Sequence, residues 1–404
     1  MAMDDKFDAV IIGGGIAGST TGRLISKHGH KVLIIEEHRE IGKPLQCAGL
    51  VTPRIFKLVP ENGCTLNEVR GAIIHSPGGQ ELKIDAGKTK ALVIDRVRLD
   101  QNSMTAAVHA GCELRLGAKA ISAKHKGKSV TTKLFQNGKT YSINSKLLIG
   151  ADGVQSQVSR WFNLKGPKTI LPGFGAELVG VDSDPRFVEI FLGNNIAPNF
   201  FAWVIPKARN KTSGVLPARV GLACSKAPKF AYQYYHKLFS HPYLGPRLAR
   251  SRPIQIIAGG IPMGPVTKSY TDNVMLVGDS AGQVKPTSGG GIYTSLLSAG
   301  FCAKTAGQAL QTKNYSAKTL RSYQRAWQAE LGKEFKQGYR LFKVFMHLTN
   351  DQLEDGFRLL GKKAILDIIS SEGDIDYPSK VTTKVIKKVP QLLKFAKPYL
   401  RSFF

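Results

Sequence analysis

Ala9-Val10-Ile11-Ile12-Gly13-Gly14-Gly15-Ile16-Ala17-Gly18-Ser19-Thr20-Thr21 decides the fold class. Four apolar residues run into a glycine turn, and a helical stretch continues through Ser26. This is the strand, tight turn and helix of a dinucleotide-binding βαβ unit. Glycine at 13 and 15 lets the backbone turn sharply and approach a pyrophosphate. Gly18 lets the helix pack closely on the strand, and the helix N-terminus, with Ala17 in its first turn, faces the negative charge. A second strand, Lys31 to Ile35, ends in Glu36, near the roughly 20-residue offset at which an acid accepts ribose hydroxyls. Glu37 competes for that role. The pattern does not by itself choose between FAD and NAD.

Two later segments make that choice by resemblance. Gly150-Ala151-Asp152-Gly153 and Gly278-Asp279-Ser280-Ala281-Gly282 resemble the second and third FAD motifs of the aromatic-hydroxylase-like flavoproteins. The resemblance implies FAD as cofactor and assigns the ribityl chain to Asp279. Asp279 follows the apolar strand Val274 to Val277, so its carboxylate would emerge at a strand end, where ligands sit in open α/β sheets. Pro286, Gly290, Gly291 and Ile292 would then lead into a helix whose first amides face the carbonyl edge of the flavin and stabilise negative charge there. The same resemblance gives Arg96 an FAD contact, with Arg98 as a rival, and places the backbone of Ala120 against adenine.

The charge balance is unusual. Fifty-seven lysines and arginines against 29 acids give a net +28 over 404 residues. Such a chain attracts anionic partners: acidic lipid headgroups, phosphorylated substrates, an acidic redox protein or nucleic acid. No nucleic-acid-binding module is recognisable and the basic residues are spread along the chain, so nucleic acid is not expected as a partner. Five separated cysteines support neither a disulfide framework nor a CxxC metal site, and nine scattered histidines lack metal-ligand spacing, so no metal is expected. The expected location is a reducing cytoplasm, without signal peptide or spanning helix; the longest uncharged stretch, Pro286 to Ala303, belongs to the third glycine motif.

The predicted architecture is α/β: a discontinuous Rossmann-like FAD-binding domain over residues 1–170 and 263–312, an inserted antiparallel β-sheet substrate domain over 171–262, and an α-helical C-terminal region over 313–404. Asp95 to Leu116 reads as helix then strand. Phe187 to Leu192 and Phe200 to Ile205 are the clearest strands of the insert, and Lys207 to Arg219 reads as a basic loop. Leu320, Tyr323, Trp327, Leu331 and Phe335 recur at helical spacing. The tail from Val381 to Phe404 has six basic residues and no acid among apolar residues. Such a segment lies on a membrane or packs its apolar face on its own domain, and Pro390 and Pro398 break it into short pieces.

Two further stretches resemble the geranylgeranyl reductase family. Lys43-Pro44-Leu45-Gln46-Cys47-Ala48-Gly49 is similar to that family's Cys-Ala-Gly stretch beside the flavin. Pro198-Asn199-Phe200-Phe201-Ala202-Trp203-Val204-Ile205-Pro206, closed by Val220-Gly221, is similar to its prenyl-pocket motif. The chain departs from that motif with Phe201 in place of tyrosine and Ile205 in place of phenylalanine, so no hydroxyl is available at 201. The resemblance implies a FAD-dependent reductase that hydrogenates isolated double bonds of geranylgeranyl chains in archaeal membrane lipid precursors such as digeranylgeranylglyceryl phospholipid. Hydride would come from N5 of reduced FAD, and the proton from a donor for which Cys47 is a candidate. Phe201, Trp203 and Pro206 would line the substrate pocket; Cys47, Ala48 and Gly49 would adjoin the flavin. The expected partners are the prenylated lipid, an anionic membrane surface with which the protein associates peripherally, and an electron donor such as a reduced ferredoxin or NAD(P)H. The rival readings are a flavin-dependent monooxygenase or halogenase of the same fold, or a flavoprotein that only relays electrons.

Overall fold

The structure is a computed structural model that describes residues 6–396. Its first sheet is built on five parallel strands in the order Val274–Leu276, Lys139–Gly150, Lys6–Ile12, Val32–Ile35 and Glu113–Arg115. Both faces of this sheet are covered, so residues 9–12, Val32–Ile35, residues 147–149 and Val274–Leu276 are apolar at consecutive rather than alternate positions. Ala9, Ile11, Val32, Ile34, Leu147, Ile149, Met275 and Val277 face the helices Ile16–Ser26, Arg96–His109, Ile292–Gln311 and Ala317–Phe345. Val10, Ile12, Leu33, Ile35, Leu148 and Leu276 face the other way. There Ala123, Val130, Leu134 and Ile143 cover them from the meander Lys119–Lys126, Ser129–Gln136 and Lys139–Gly150.

Register carries function in this sheet. Ile12 stands opposite both Gly150 and Ile35, and Gly150 stands opposite Leu276. Four strands therefore end at one level, and the turns after them, at Gly13, Glu36, Ala151 and Val277, open onto one edge.

The second sheet has seven strands, in the order Arg252–Met263, Thr169–Val181, Leu216–Ala223, Phe201–Pro206, Phe187–Leu192, Gly71–His75 and Glu81–Asp85. Two features differ from the sequence expectation. Gly71–His75 and Glu81–Asp85, placed by number within the first FAD segment, belong to this sheet, and Gly71–His75 pairs parallel with Phe187–Leu192. Short strands whose partner lies over a hundred residues away leave no local signal of which sheet they join. Lys207 to Arg219 is also not wholly loop, because its end enters the strand Leu216–Ala223 and buries Arg219. A small third sheet pairs Leu50–Val51, Ala91–Ile94 and Thr65–Val69.

The amphipathic spacing read in the C-terminal region corresponds to the 29-residue helix Ala317–Phe345, in which Leu320, Tyr323, Trp327, Leu331 and Phe335 are all buried. Tyr323 reaches the first sheet: its hydroxyl donates to the Leu276 carbonyl at 2.8 Å and accepts from Gln283 Nε2 at 2.8 Å. The described part of the basic tail packs inward. Val385 and Val389 are buried with Ile365, against Leu359, Leu360 and Leu392, so this part keeps its apolar face on its own domain. Lys397, Tyr399, Arg401 and Phe403 lie outside the described residues.

Two stability predictions follow from buried polar groups. Tyr323→Phe removes the hydroxyl that serves the Leu276 carbonyl and Gln283 Nε2 in a buried core, and should cost about 1–3 kcal/mol in denaturant unfolding. Glu189, buried in the second sheet, accepts from His75 Nε2 at 2.9 Å, Ser183 Oγ at 3.1 Å and Arg247. Burial alone would raise its carboxyl, but the hydrogen bonds and charges of Arg247 and His75 hold it down to about 2, against an ordinary 4.5. Its folded pKa is depressed, so its stabilisation, on the order of 3 kcal/mol, is complete above pH 4.5 and lost as pH falls toward 2. Acid unfolding of Glu189→Gln should lack that step.

Candidate functional site

The aligned strand ends frame a continuous cleft. Its inner part is a cavity of about 270 Å³ bordered by Gly15, Ile16, Ala17, Glu36, Cys47, Arg96, Asp279, Gly291 and Ile292 among others. Its outer part is a groove of about 1110 Å³ that shares Gly15, Glu36, Gln46, Ala151, Gly153 and Gly260 with the cavity and continues past Ala120 and Trp161.

Gly13, Gly15 and Gly18 of the first motif each have their own physical reason. Gly13 has φ +104°, and a Cβ there would lie 2.2 Å from the Ala151 carbonyl oxygen. A Cβ on Gly18 would lie 2.0 Å from the Gly13 carbonyl oxygen, so helix and turn touch only without a side chain. At Gly15 nothing lies within 4 Å of that position, which opens to the cleft. Glu36 is held at the second strand end, where its Oε2 accepts from the Gly14 N–H at 2.8 Å and its Oε1 from the His38 N–H at 2.9 Å. Glu37 turns to Lys119 at 3.1 Å and borders only the outer groove.

Two helices point their N-termini into the cavity. Ile16–Ser26 begins at Gly15 and Ile292–Gln311 at Gly291, neither with a side-chain cap. Their first-turn amides remain available to an acceptor in the cleft, and the two dipoles add at one place. Asp279 borders the same cavity. Its carboxylate has no hydrogen-bond partner among the described residues; burial pushes its pKa up while Arg96 pulls it down.

Arg96, not Arg98, reaches the cavity. Its guanidinium donates to Asp100 Oδ1 at 3.1 and 3.2 Å, and Cys47 borders the same cavity. Burial opposes the charge, but the Asp100 carboxylate beside it holds the pKa above its ordinary value. Arg98 is exposed near Gly63. Cys47 Sγ accepts from the Gly49 N–H at 3.3 Å, which folds its loop over the cavity.

Other residues singled out from the sequence lie behind the lining. Gly18, Ala48, Gly49, Pro286 and Gly290 do not border the cleft. Pro286 packs on Gly338 of the long helix, and Gly290 lies over the Lys285 side chain. Ala48 gives its carbonyl to Arg219 at 2.8 Å, and a Cβ on Gly49 would strike that guanidinium at 2.2 Å.

Phe201 and Trp203 also stand back from the cleft. With Ile261, Tyr339 and Met346 they pack on buried Leu171, Phe200, Met263 and Phe342, and Phe201 stacks on Phe200 at 4.1 Å. Ile261 borders the cavity and connects it to this aromatic wall. The closing glycine of that motif has a direct role: Gly221 stands opposite Trp203, and a Cβ there would meet the indole at 2.9 Å. Pro206 lies farther along the strand, where its carbonyl accepts from Asn67 Nδ2 at 3.0 Å.

The FAD binding domain family matches residues 6–325. The digeranylgeranylglycerophospholipid reductase of Methanocaldococcus jannaschii is 30% identical over 98% of this chain and 99% of its own. The chain belongs to the geranylgeranyl reductase family of FAD-binding proteins. A geranylgeranyl bacteriochlorophyll reductase-like protein of Thermoplasma acidophilum superposes with a TM-score of 0.85 at 25% identity, covering 98% of this chain and 99% of that one. The flavin-dependent brominase Bmp2, at 18% identity and TM-score 0.72 over 96% of this chain and all of its own, shares the fold alone.

The cleft of this family member fits FAD on its own geometry: an open Gly15, two uncapped helix N-termini and an unpartnered carboxylate at Asp279. Three features of the site were missed in the sequence. Asp100, which fixes Arg96, had its i,i+4 spacing as a signal. Arg219, which holds the Cys47 loop through the Ala48 and Ile94 carbonyls at 2.8 and 2.9 Å, had none. Neither had Asp376, which accepts from Lys285 at 2.7 Å and Thr52 at 2.5 Å and so ties the third motif to the end of the Cys47 segment.

Gly18→Ala should yield protein with little or no bound flavin, because helix and turn must separate. Asp279→Ala should fold but lower FAD affinity by about tenfold or more, the scale of a lost charge-assisted hydrogen bond. The absorbance ratio of bound flavin to protein after gel filtration, and FAD titration of the apoprotein, check both.

Proposed function

We propose that this protein is a FAD-dependent reductase that saturates isolated double bonds in geranylgeranyl chains of an archaeal-type membrane lipid precursor, working at the membrane surface. The observation that carries the reading is the aromatic wall of Phe200, Phe201, Trp203 and Phe342, which meets the cleft at Ile261. An isolated alkene has no adjacent carbonyl to polarise it, so its reduction needs a water-poor pocket beside the cofactor. Bound FAD, once reduced, supplies the hydride.

The chain's residues divide the remaining work. The turn at Gly13 and Gly15 and the helix N-terminus at Ile16 and Ala17 would receive the pyrophosphate, Glu36 the ribose, the backbone of Ala120 the adenine, and Asp279 the ribityl chain. Gly291 and Ile292 would offer amides to the flavin ring. Gly18, Ala48, Gly49, Pro286 and Gly290 would serve by keeping those groups in place. Phe201 and Trp203 would exclude water from the prenyl chain, with Pro206 closing their strand. Cys47 Sγ would deliver the proton to the alkene, and Arg96, which borders the same cavity, would orient that side chain. A phenylalanine at 201 leaves no hydroxyl to share that role. The net charge of +28 suits an anionic headgroup and an acidic electron donor.

The test is anaerobic incubation of the reduced flavoprotein with digeranylgeranylglyceryl phospholipid, followed by mass spectrometry. Stepwise gain of hydrogen pairs with flavin reoxidation is expected; unchanged lipid beside reduced flavin rejects the reading, and oxygen-dependent turnover would favour a monooxygenase or halogenase. Cys47→Ala should retain FAD while slowing reoxidation by the lipid by about a hundredfold, within the usual range for a general acid.

A further inference from the structure

The described part of the basic tail keeps its apolar face on its own domain, yet another face combines exposed apolar and basic groups. Between Glu189 and Asp272 the chain contains eleven lysines and arginines and no acidic residue. This stretch supplies the edge strand Arg252–Met263 and the helix Pro228–Lys237. The edge strand pairs on one side with Thr169–Val181 and on the other with nothing among the described strands. Ile256 stands opposite Ala176 and Ala258 opposite Phe174. Their side chains therefore share the sheet face on which the helix sits, with Tyr235 against Phe174 at 5.1 Å. The helix covers Ala176 and Phe174 but stops short of the edge, so Ile254 remains 60% and Ile256 54% exposed. Tyr232 on the helix is exposed and meets Phe174, the residue opposite Ala258 of the edge strand, edge-on at 5.2 Å. Lys226, Lys229 and Arg252 are exposed on the same segments.

Isolated exposed apolar residues are ordinary, but two adjacent isoleucines with an exposed tyrosine and a basic fringe form a patch, and patches of this kind mark interaction surfaces. We infer that this face, formed by Ile254, Ile256 and Tyr232 within the fringe of Lys226, Lys229 and Arg252, docks on an anionic lipid bilayer. Aliphatic and aromatic side chains enter the acyl boundary while the lysines and arginine meet the headgroups, and the missing acids remove repulsion from lipid phosphates. An acidic protein would meet the charge but would leave Ile254 and Ile256 without an apolar phase. The same face adjoins the wide groove: Phe174, Lys226, Pro228, Ala231 and Ala258 border it, and it continues to Gln46 and Gly15. The choice of a lipid surface rests on the proposed lipid substrate.

Co-sedimentation of the FAD-loaded protein with vesicles of phosphatidylcholine, alone or mixed equally with phosphatidylglycerol, tests the assignment. Binding to the mixed vesicles, weakened by salt, is expected. Ile254→Ser/Ile256→Ser should weaken it by roughly tenfold or more, given the apolar area withdrawn. Lys226→Glu/Lys229→Glu should abolish the preference for phosphatidylglycerol, while Lys384→Gln/Lys388→Gln on the C-terminal helix should leave binding as in the wild type. Flavin content and circular dichroism confirm that each variant is folded. Failure of the wild type to sediment, or equal binding by the isoleucine variant, overturns the assignment. So does salt-sensitive binding to a reduced acidic redox protein that the isoleucine variant loses while it keeps its vesicle binding. Detergent-dispersed substrate separates this surface from the chemistry: the isoleucine variant should reduce it at the wild-type rate. Vesicle binding without any reduction by the wild type would reject the proposed function and leave the surface standing.

Discussion

Everything in the site depends on backbone register in the parallel sheet. Ile12, Ile35, Gly150 and Leu276 end their strands level with one another because each pair is locked by ladder hydrogen bonds, and a slip of one residue would turn every side chain to the opposite face. With both faces packed against apolar layers, such a slip has no accommodating state. The turns carrying Gly13, Glu36, Ala151 and Asp279 therefore converge although more than 260 residues separate the first from the last. Two helix N-termini and one carboxylate are held ready before any ligand arrives, so binding does not have to order them.

A frame held at one edge still needs its loops fixed, and the rest of the chain supplies this. Tyr323 of the long helix ties Gln283 to the Leu276 carbonyl, so the third motif is braced from behind by the C-terminal region. Asp376, almost fully buried, takes Lys285 from the same motif and Thr52 from beyond the Cys47 loop. Arg219 crosses from the second sheet to carbonyls at Ala48 and Ile94. Charges buried this way are costly unless paired, and here each pairing joins segments distant in sequence. They specify which loops meet more than they add to net stability. The aromatic wall is built by the same logic of close fit, since the indole of Trp203 occupies space that Gly221 leaves empty.

The amino-acid sequence by itself determined the local elements and their chemistry. The glycine spacing at 13, 15 and 18, the acid at 36, the apolar run before Asp279 and the helical stripe from Leu320 to Phe335 are short-range patterns. Backbone freedom, helix dipoles and the 3.6-residue period act within a few residues, so sequence displays them directly. Tertiary structure alone decided which partners those elements take. It drew Gly71–His75 and Glu81–Asp85 into the second sheet, turned Arg96 inward and Arg98 outward, made Arg219 a buried brace and set Pro286 and Gly290 behind the lining. It also buried the apolar face of the described tail and left Ile254 and Ile256 in solvent. Pairing across a hundred residues and burial of a charged side chain depend on what the rest of the chain places opposite, and no local pattern contains that information.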